Sequence, residues 1–496
     1  MDEIMEGDIF KQSNLPDESK DFLQHMTSNV QPEMSLNDYI ITDSKFKTFY
    51  SKAKESTSSS PSGLHLGHWK AGVADSDICR VLAGLVNLAV QNTYTLKRWR
   101  KVVSILMEKV KGNPIIHKFR TIHLLESDMN FVLRYTWGRQ FMKHNESNKA
   151  WHSNQYGSRK GIQGQSATLN KVLTLDVIRY YAEPAAIVDN DAKACYDRMI
   201  PVVLSYALIR LDLPKHLTRF MCGWLEDATY FIKTSKGVSK HKYNSKLQSY
   251  LFGTGQGTGW SPPNWGAISD IISTVMSHNT PGMKLVHPNR RVSSNRSFDA
   301  FVDDVNGGLT SDGLHTFHPP SASHIPLLQT IYEQIKVNIQ YYSRLLFTSG
   351  GKLAFLDKCR AYLLEFEWKN GKRFMINTAD IYSDIKLDQT FQNKSDTIKL
   401  LNPNEARKML GAYTAPDGNT KVQYKVLHEI SKEWGHKVTN GYLNRFDVQN
   451  SFKLGLIPAL QYPLGVGMLT EKQCDSLLVP AMSNNNNRIY FLSANN

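Results

Sequence analysis

No apolar run in this chain is long enough to cross a bilayer as a helix, and the N-terminus lacks the basic-then-apolar order of a secretory signal. Cysteine is scarce: Cys79, Cys195, Cys222, Cys359 and Cys474 are scattered and form no C-x-x-C pair. That spacing excludes a zinc knuckle and points to a reducing compartment. An intracellular protein, in nucleus or cytoplasm and neither secreted nor membrane-held, is expected. Acidic residues are also few, 45 Asp and Glu against 59 Lys and Arg, leaving a net charge of +14. Such a balance favours a polyanionic partner. Lys97, Arg98, Arg100, Lys101, Lys109, Lys111, Lys118 and Arg120 crowd one region. Together they read as a phosphate-tracking surface, and singly as a solvated face.

At 496 residues the chain exceeds one ordinary core and should divide into subdomains. Residues 1–60 are polar, locally acidic and end in a serine-rich linker, which reads as an ill-ordered extension with one helix.

The feature that organises the rest is Phe301-Val302-Asp303-Asp304, followed by Val305-Asn306-Gly307-Gly308. Two adjacent carboxylates interrupt a strand-like segment, and Gly307-Gly308 offers a place to turn. Side-by-side carboxylates repel and are costly to desolvate, so folding alone does not ask for them. An exposed hairpin turn is the plain explanation, and a divalent cation with oxygen ligands is the functional one. Earlier, Ala185 to Val188 is an apolar run leading to Asp191, and Asp197 sits where an N-cap is expected for a helix from Arg198 to Leu213. Between these acidic sites lies the glycine-rich Gly253 to Gly259, and then Pro262-Pro263 opens a helix through Ile268, Ile271, Ile272 and Val275.

Other stretches are structural. Ile331, Ile335, Ile339, Tyr342 and Leu346 predict a long amphipathic helix with a core stripe. Asn370-Gly371 between strand-like runs predicts a hairpin, and Val426 or Leu427, with Ile430 and Trp434 in step, predicts a helix after Gly411. Leu64-His65-Leu66-Gly67-His68 and Lys233-Thr234-Ser235-Lys236 resemble the two ATP-binding signatures of class I aminoacyl-tRNA synthetases. That reading needs an apolar strand just before the first signature, where Ser51 to Ser60 is polar. A turn leading into the region that follows is the better account of both histidines.

Taken in order, Asp191 with Tyr196-Asp197, then Gln256-Gly257-x-x-x-Ser261-Pro262, then Phe301-x-Asp303-Asp304, resemble the central palm motifs of reverse transcriptases, most closely those of non-LTR (LINE-like) retrotransposons. Lys118-Phe119-Arg120-Thr121-Ile122, Gln155 to Gly161, the segment ending Lys358-Cys359, and Lys408-Met409-Leu410-Gly411 are similar to flanking motifs of that family. Thr121, Ser158 and Phe301 depart from its usual residues. The resemblance covers roughly Leu106 to Gly411. It implies an α+β right-hand polymerase: fingers over 61–184, a palm over 185–403 with an insertion around 228–262, and a helical thumb over 404–496. The thumb is expected to be incomplete, ending soon after the Asn484–Asn487 run.

The resemblance also implies roles. Asp191, Asp303 and Asp304 would hold two Mg²⁺ or Mn²⁺ ions, and Lys358 would protonate the leaving pyrophosphate. Lys109 and Arg120 would hold the triphosphate, with Lys118 a further candidate. Tyr196 would be the steric gate against a ribose 2′-hydroxyl, and Gln256 and Gly257 would touch the incoming nucleotide. Arg159, Lys160, Phe301, Val302, Leu410 and Gly411 would contact template or primer. The partners are an RNA template, a DNA or RNA primer and dNTPs. No apurinic-type endonuclease fits ahead of Pro61, and no ribonuclease H carboxylate set follows Gly411. A piece of a longer polyprotein, a degenerate nucleic-acid-binding copy and a stand-alone polymerase all remain compatible with the sequence.

Overall fold

A computed structural model describes residues 14–27, 35–56, 61–110, 112–113, 115, 119–244, 253–286, 293–312, 327–355, 358–388 and 395–482. Lys111, Lys118, the serine linker 57–60 and the asparagine run lie outside the described residues. The fold is mixed α+β, and the chain forms two compact units. The first comprises Met1–Lys160, Ala192–Asn279 and Gln340–Ala354, and the second Gly161–Asp191, Thr280–Ile339 and Phe355–Asn496. Among the described residues no helix is long and apolar enough to cross a membrane.

In the first unit, strand Lys101–Glu108 pairs antiparallel with Phe119–Leu124 and parallel with Thr229–Thr234, which carries the short Gly237–Val238 at the edge. Helices Pro201–Arg210, Lys215–Asp227 and Ser261–Asn279 supply the core, and Ile268, Ile271, Ile272 and Val275 are buried as their spacing requires. The N-terminal segment differs from expectation. Asp17–Thr27 and Asp43–Ser51 are both helices, and Phe22, Phe46 and Tyr50 are wholly buried. Widely spaced aromatics in a polar stretch anchor it, with Tyr50 stacked on Trp69 at 5.3 Å. His65 and His68 begin the helix Leu66–Gly72, the backbone N–H of His65 donating to His68 Nδ1.

The helix expected from Arg198 instead spans Pro201–Arg210, with Ile200 as its N-cap. Proline at the first position fixes that start, and Asp197 belongs to a separate 3-10 turn, Cys195–Asp197.

In the second unit a six-stranded sheet runs Ile385–Asp388, Ser395–Leu401, Arg360–Leu364, Ala185–Asp191, Asp304–Thr310, Phe298–Phe301. The Ala185–Asp191 strand is antiparallel to both of its neighbours. Ala185 to Val188 are all buried, which explains an unbroken apolar run in place of alternation. Helix Gly164–Tyr181 packs Leu175 and Ile178 against Ile187, Tyr362 and Leu364. Gly307 and Gly308 do not turn: both lie within strand Asp304–Thr310. A Cβ on Gly307 would stand 2.4 Å from the Phe298 ring, and one on Gly308 2.7 Å from the Ala186 carbonyl. Close packing, not a bend, requires glycine there.

The Asn370-Gly371 hairpin forms, joining Phe366–Lys369 to Lys372–Met375, with φ of +51° and +71° at the turn. Helix Lys421–Asn440 buries Leu427 with Leu456, Leu460 and Leu477 as a separate core, against which Ile430 and Trp434 pack. Along the Leu327–Thr348 helix, the Ile331, Ile335, Ile339, Tyr342 and Leu346 stripe is fully buried.

Candidate active site

The second unit brings several acidic groups to one end of its sheet. Asp191 closes the central strand and Asp304 opens its neighbour, and the two are direct partners in the antiparallel register. Asp191 is 4% exposed. Asp303 occupies the two-residue connection Val302-Asp303 between the paired Phe301 and Asp304. Val302 has a φ of +57°, at a position where such turns favour glycine and a β-branched residue is strained. The tetrapeptide is therefore a hairpin turn, half-buried at its acidic residues, with backbone strain stored beside the carboxylates.

Burial pushes the Asp304 carboxyl up to about 7, reinforced by Asp303 and Asp191 and opposed by Lys358. The Lys358 ammonium donates to Asp191 Oδ2. Burial disfavours its charge, but that hydrogen bond and the surrounding carboxylates leave it net above its usual range. Among the described residues no three acidic, His or Cys side chains form a ready-made metal cage. The donors are nonetheless hard oxygens brought together from two adjacent strands and the turn between them, the kind that a divalent cation prefers.

A cavity of ≈ 370 Å³ opens at this place, lined by Asp189, Asp191, Asp304, Lys358 and the hairpin Arg407 to Gly411. Leu410 and Gly411 form that hairpin's turn, with φ of +47° and +96°. Tyr462 Oη donates to the Leu410 carbonyl at 2.6 Å, and a Cβ on Gly411 would meet the Tyr462 ring at 2.8 Å. The C-terminal helices thus clamp the hairpin at the cavity edge.

Sequence reasoning missed Asp189 and its partner. Lys171, 2% exposed, donates to both Asp189 oxygens at 2.6 and 2.8 Å, and Asn306 Nδ2 donates to Oδ1 at 2.9 Å. The period-2 relation of Asp189 to Asp191 was the available signal. Lys171 gave none, since a helical lysine ordinarily reads as solvated. Arg407 and Lys408, also unremarked as charges, add cations to the lining.

The remaining candidates belong to the first unit. Tyr196 and Asp197 occupy the 3-10 turn, against which the glycine loop is laid. Thr254 N–H donates to the Tyr196 carbonyl at 2.7 Å and Gly253 N–H to the Met199 carbonyl at 2.7 Å. On its other side, His123 N–H donates to the Gln256 carbonyl at 2.8 Å. A Cβ on Gly255 would come within 2.0 Å of His123 Cδ2, so glycine is obligatory there. Burial pulls the His123 imidazole down to about 4, which keeps it neutral beside Ser104 Oγ at 3.0 Å. Lys109, Arg120, Lys160 and Gly257 are exposed. Arg159 is not offered to solvent: its Nε and Nη2 donate to the two Glu146 oxygens at 2.7 and 3.0 Å. Arg98 is likewise turned inward, onto Asp128, and leaves the basic cluster.

The first unit also carries a groove of ≈ 1490 Å³. Lys45, Lys52, Lys54, Arg134 and Arg139 line it, and no carboxylate does among the described residues. Arg134 lies over the Phe49 ring and Lys45 over Tyr135. Cations interleaved with aromatic faces in a trough without acid suit a single-stranded polyanion.

Compared with known proteins, the chain matches no family model and no curated protein.

Proposed function

We propose that this chain is an RNA-directed DNA polymerase with a right-hand architecture, of the type found in non-LTR retrotransposons. The observation that carries the reading is the register pairing of Asp191 with Asp304 beside Asp303 and Lys358. Nucleotide addition is in-line phosphoryl transfer, and it needs carboxylates from separate strands converging at one point. Asp191, Asp303 and Asp304 would hold two Mg²⁺ or Mn²⁺ ions, which when bound neutralise charge on the attacking oxygen, the phosphate and the pyrophosphate.

The protein's own side chains do the rest. Lys358, kept protonated by Asp191, is the proton source for the leaving pyrophosphate. Lys171 holds Asp189 in place and offsets part of the negative charge around the cavity. The Leu410-Gly411 turn supports a primer end, and the acid-free groove of the first unit suits the template strand. Within that unit Tyr196 excludes the ribose 2′-hydroxyl, Gln256 and Gly257 meet the nucleotide, and Lys109 and Arg120 take its phosphates.

The test is incorporation of labelled dTTP on poly(rA)/oligo(dT) with Mg²⁺ or Mn²⁺. Templated incorporation supports the reading. Binding of nucleic acid with no incorporation identifies a degenerate copy, and amino-acid-dependent ATP–pyrophosphate exchange a synthetase.

A further inference from the structure

Lys171 and Lys358 engage two carboxylates of one strand in different ways. Lys171 is 2% exposed and donates to both oxygens of Asp189, at 2.6 and 2.8 Å, while Asn306 adds a third hydrogen bond at 2.9 Å. Lys358 donates to a single oxygen, Asp191 Oδ2, and its side chain is 55% exposed. A buried, fully bonded pair is costly to break, whereas one water-facing contact is not. Register explains why Lys358 arrives there. Arg360 stands opposite Asp189 in the antiparallel pair, and the same register carried back two residues sets Lys358 opposite Asp191. Asp191 has Asp304 on its other side, so Lys358, Asp191 and Asp304 lie in one row across the sheet. Arg407 Nη2 donates to the Lys358 carbonyl at 2.9 Å. The main chain is thereby anchored, and the flexible four-carbon stem is the part able to move.

We infer that Lys358 is a displaceable cation, holding the Asp191 oxygen until a divalent ion takes its place. Asp191 is 4% exposed, which leaves little of it for a second cation, and two cations at such range repel. Its oxygens are hard donors that prefer the doubly charged ion. Exchange also reconciles two demands on Lys358, since an ammonium held on Asp191 is not free to face a leaving pyrophosphate. Lys171 does not exchange, because taking it from Asp189 would strand a buried charge. The inference rests on the reading of Asp191, Asp303 and Asp304 as metal ligands, and it adds which cation must leave for that site to fill.

Mn²⁺ binding to the full chain is titrated by electron paramagnetic resonance, counting the sites that Asp303→Asn loses. Lys358→Met should bind Mn²⁺ there about tenfold or more tighter than wild type. Lys408→Met removes the same charge from the cavity lining, where Lys408 lies over the Tyr413 ring, and should change the affinity much less. The wild type itself gives a second readout. Acetylation of Lys358 by acetic anhydride, resolved by mass spectrometry, should quicken several-fold at saturating Mn²⁺, while Lys171 stays unmodified with and without the ion. Equal effects of Lys358→Met and Lys408→Met, or an acetylation rate that Mn²⁺ does not change, would overturn the inference. The acetylation readout decides it even where a variant does not fold. No Asp303-dependent Mn²⁺ site in either the wild type or Lys358→Met would contradict the metal-site reading itself.

Discussion

Asp191 and Asp304 stand opposite each other in antiparallel register, one ending its strand and the other beginning the next, with the Lys358 ammonium on Asp191. Charge crowding follows from that geometry, and several measurable consequences follow from the crowding.

The first concerns pH. Burial and its acidic neighbours raise the Asp304 carboxyl from 3.8 to about 7. A carboxyl raised in the folded state contributes stability that is full below its unfolded value and is lost as pH rises through the folded one. In EDTA the wild type should therefore melt at a lower temperature at about pH 8 than at about pH 5, and Asp304→Asn should flatten that slope. Thermal scans across this range check it. Equal slopes for the two proteins would mean that the Asp304 carboxyl is not perturbed.

Lys171 tests the support beneath the site. Lys171→Met strands a largely buried Asp189, at a cost of about 3 kcal/mol in unfolding free energy. Adding Asp189→Asn removes the stranded charge while keeping an oxygen for Asn306, so most of the loss should be recovered. Urea denaturation of both variants is the measurement. A single variant as stable as wild type would mark the pair as dispensable.

Much of this fold could be read from the chain. The Asn370-Gly371 turn and the Ile331 to Leu346 stripe came directly from local chemistry, because turn type and helical period are encoded within a few residues. The acidic tetrapeptide stood out as a candidate for a related reason: folding has no use for paired carboxylates. A hairpin turn there was also legible, but not the strained φ of Val302, and the turn expected at Gly307-Gly308 is a strand instead. Lys171 and Asp189 are 18 residues apart, on a helix and a strand, and nothing local announces their pairing. Asp197 looked like a helix cap because helix-favouring residues follow it, whereas Pro201 sets the start of that helix and Ile200 is its N-cap. Long-range partners of polar groups are what the sequence withholds.

Gly255 makes the loop's dependence on glycine measurable. Its φ of +73° and its approach to His123 both forbid a side chain. Gly255→Ala should lower the melting temperature by several degrees, by a cost of about 1–3 kcal/mol, and raise KM for dTTP. Gly161→Ala, at a φ of +81° but with open space around its Cβ, is the control and should cost less. Indistinguishable effects would show that the contact with His123 does not constrain the loop.

Tyr196 separates DNA from RNA synthesis. Its carbonyl is held by Thr254 and Gly255, so the turn should keep its path when the ring is removed. Tyr196→Ala is expected to shift the ratio of kcat/KM for dTTP and UTP toward UTP by about 1–3 kcal/mol. A uniform fall in activity with an unchanged ratio would make the ring a packing element only.

The most direct test of the central claim is primer extension on an RNA template by the wild type and by Asp191→Asn and Asp303→Asn, with nucleic-acid binding measured in parallel. The account predicts divalent-cation-dependent dTTP incorporation by the wild type. It predicts a fall of orders of magnitude, about 10²-fold or more, in each variant with binding retained. Near-normal incorporation by either variant, or none by the wild type, would contradict it.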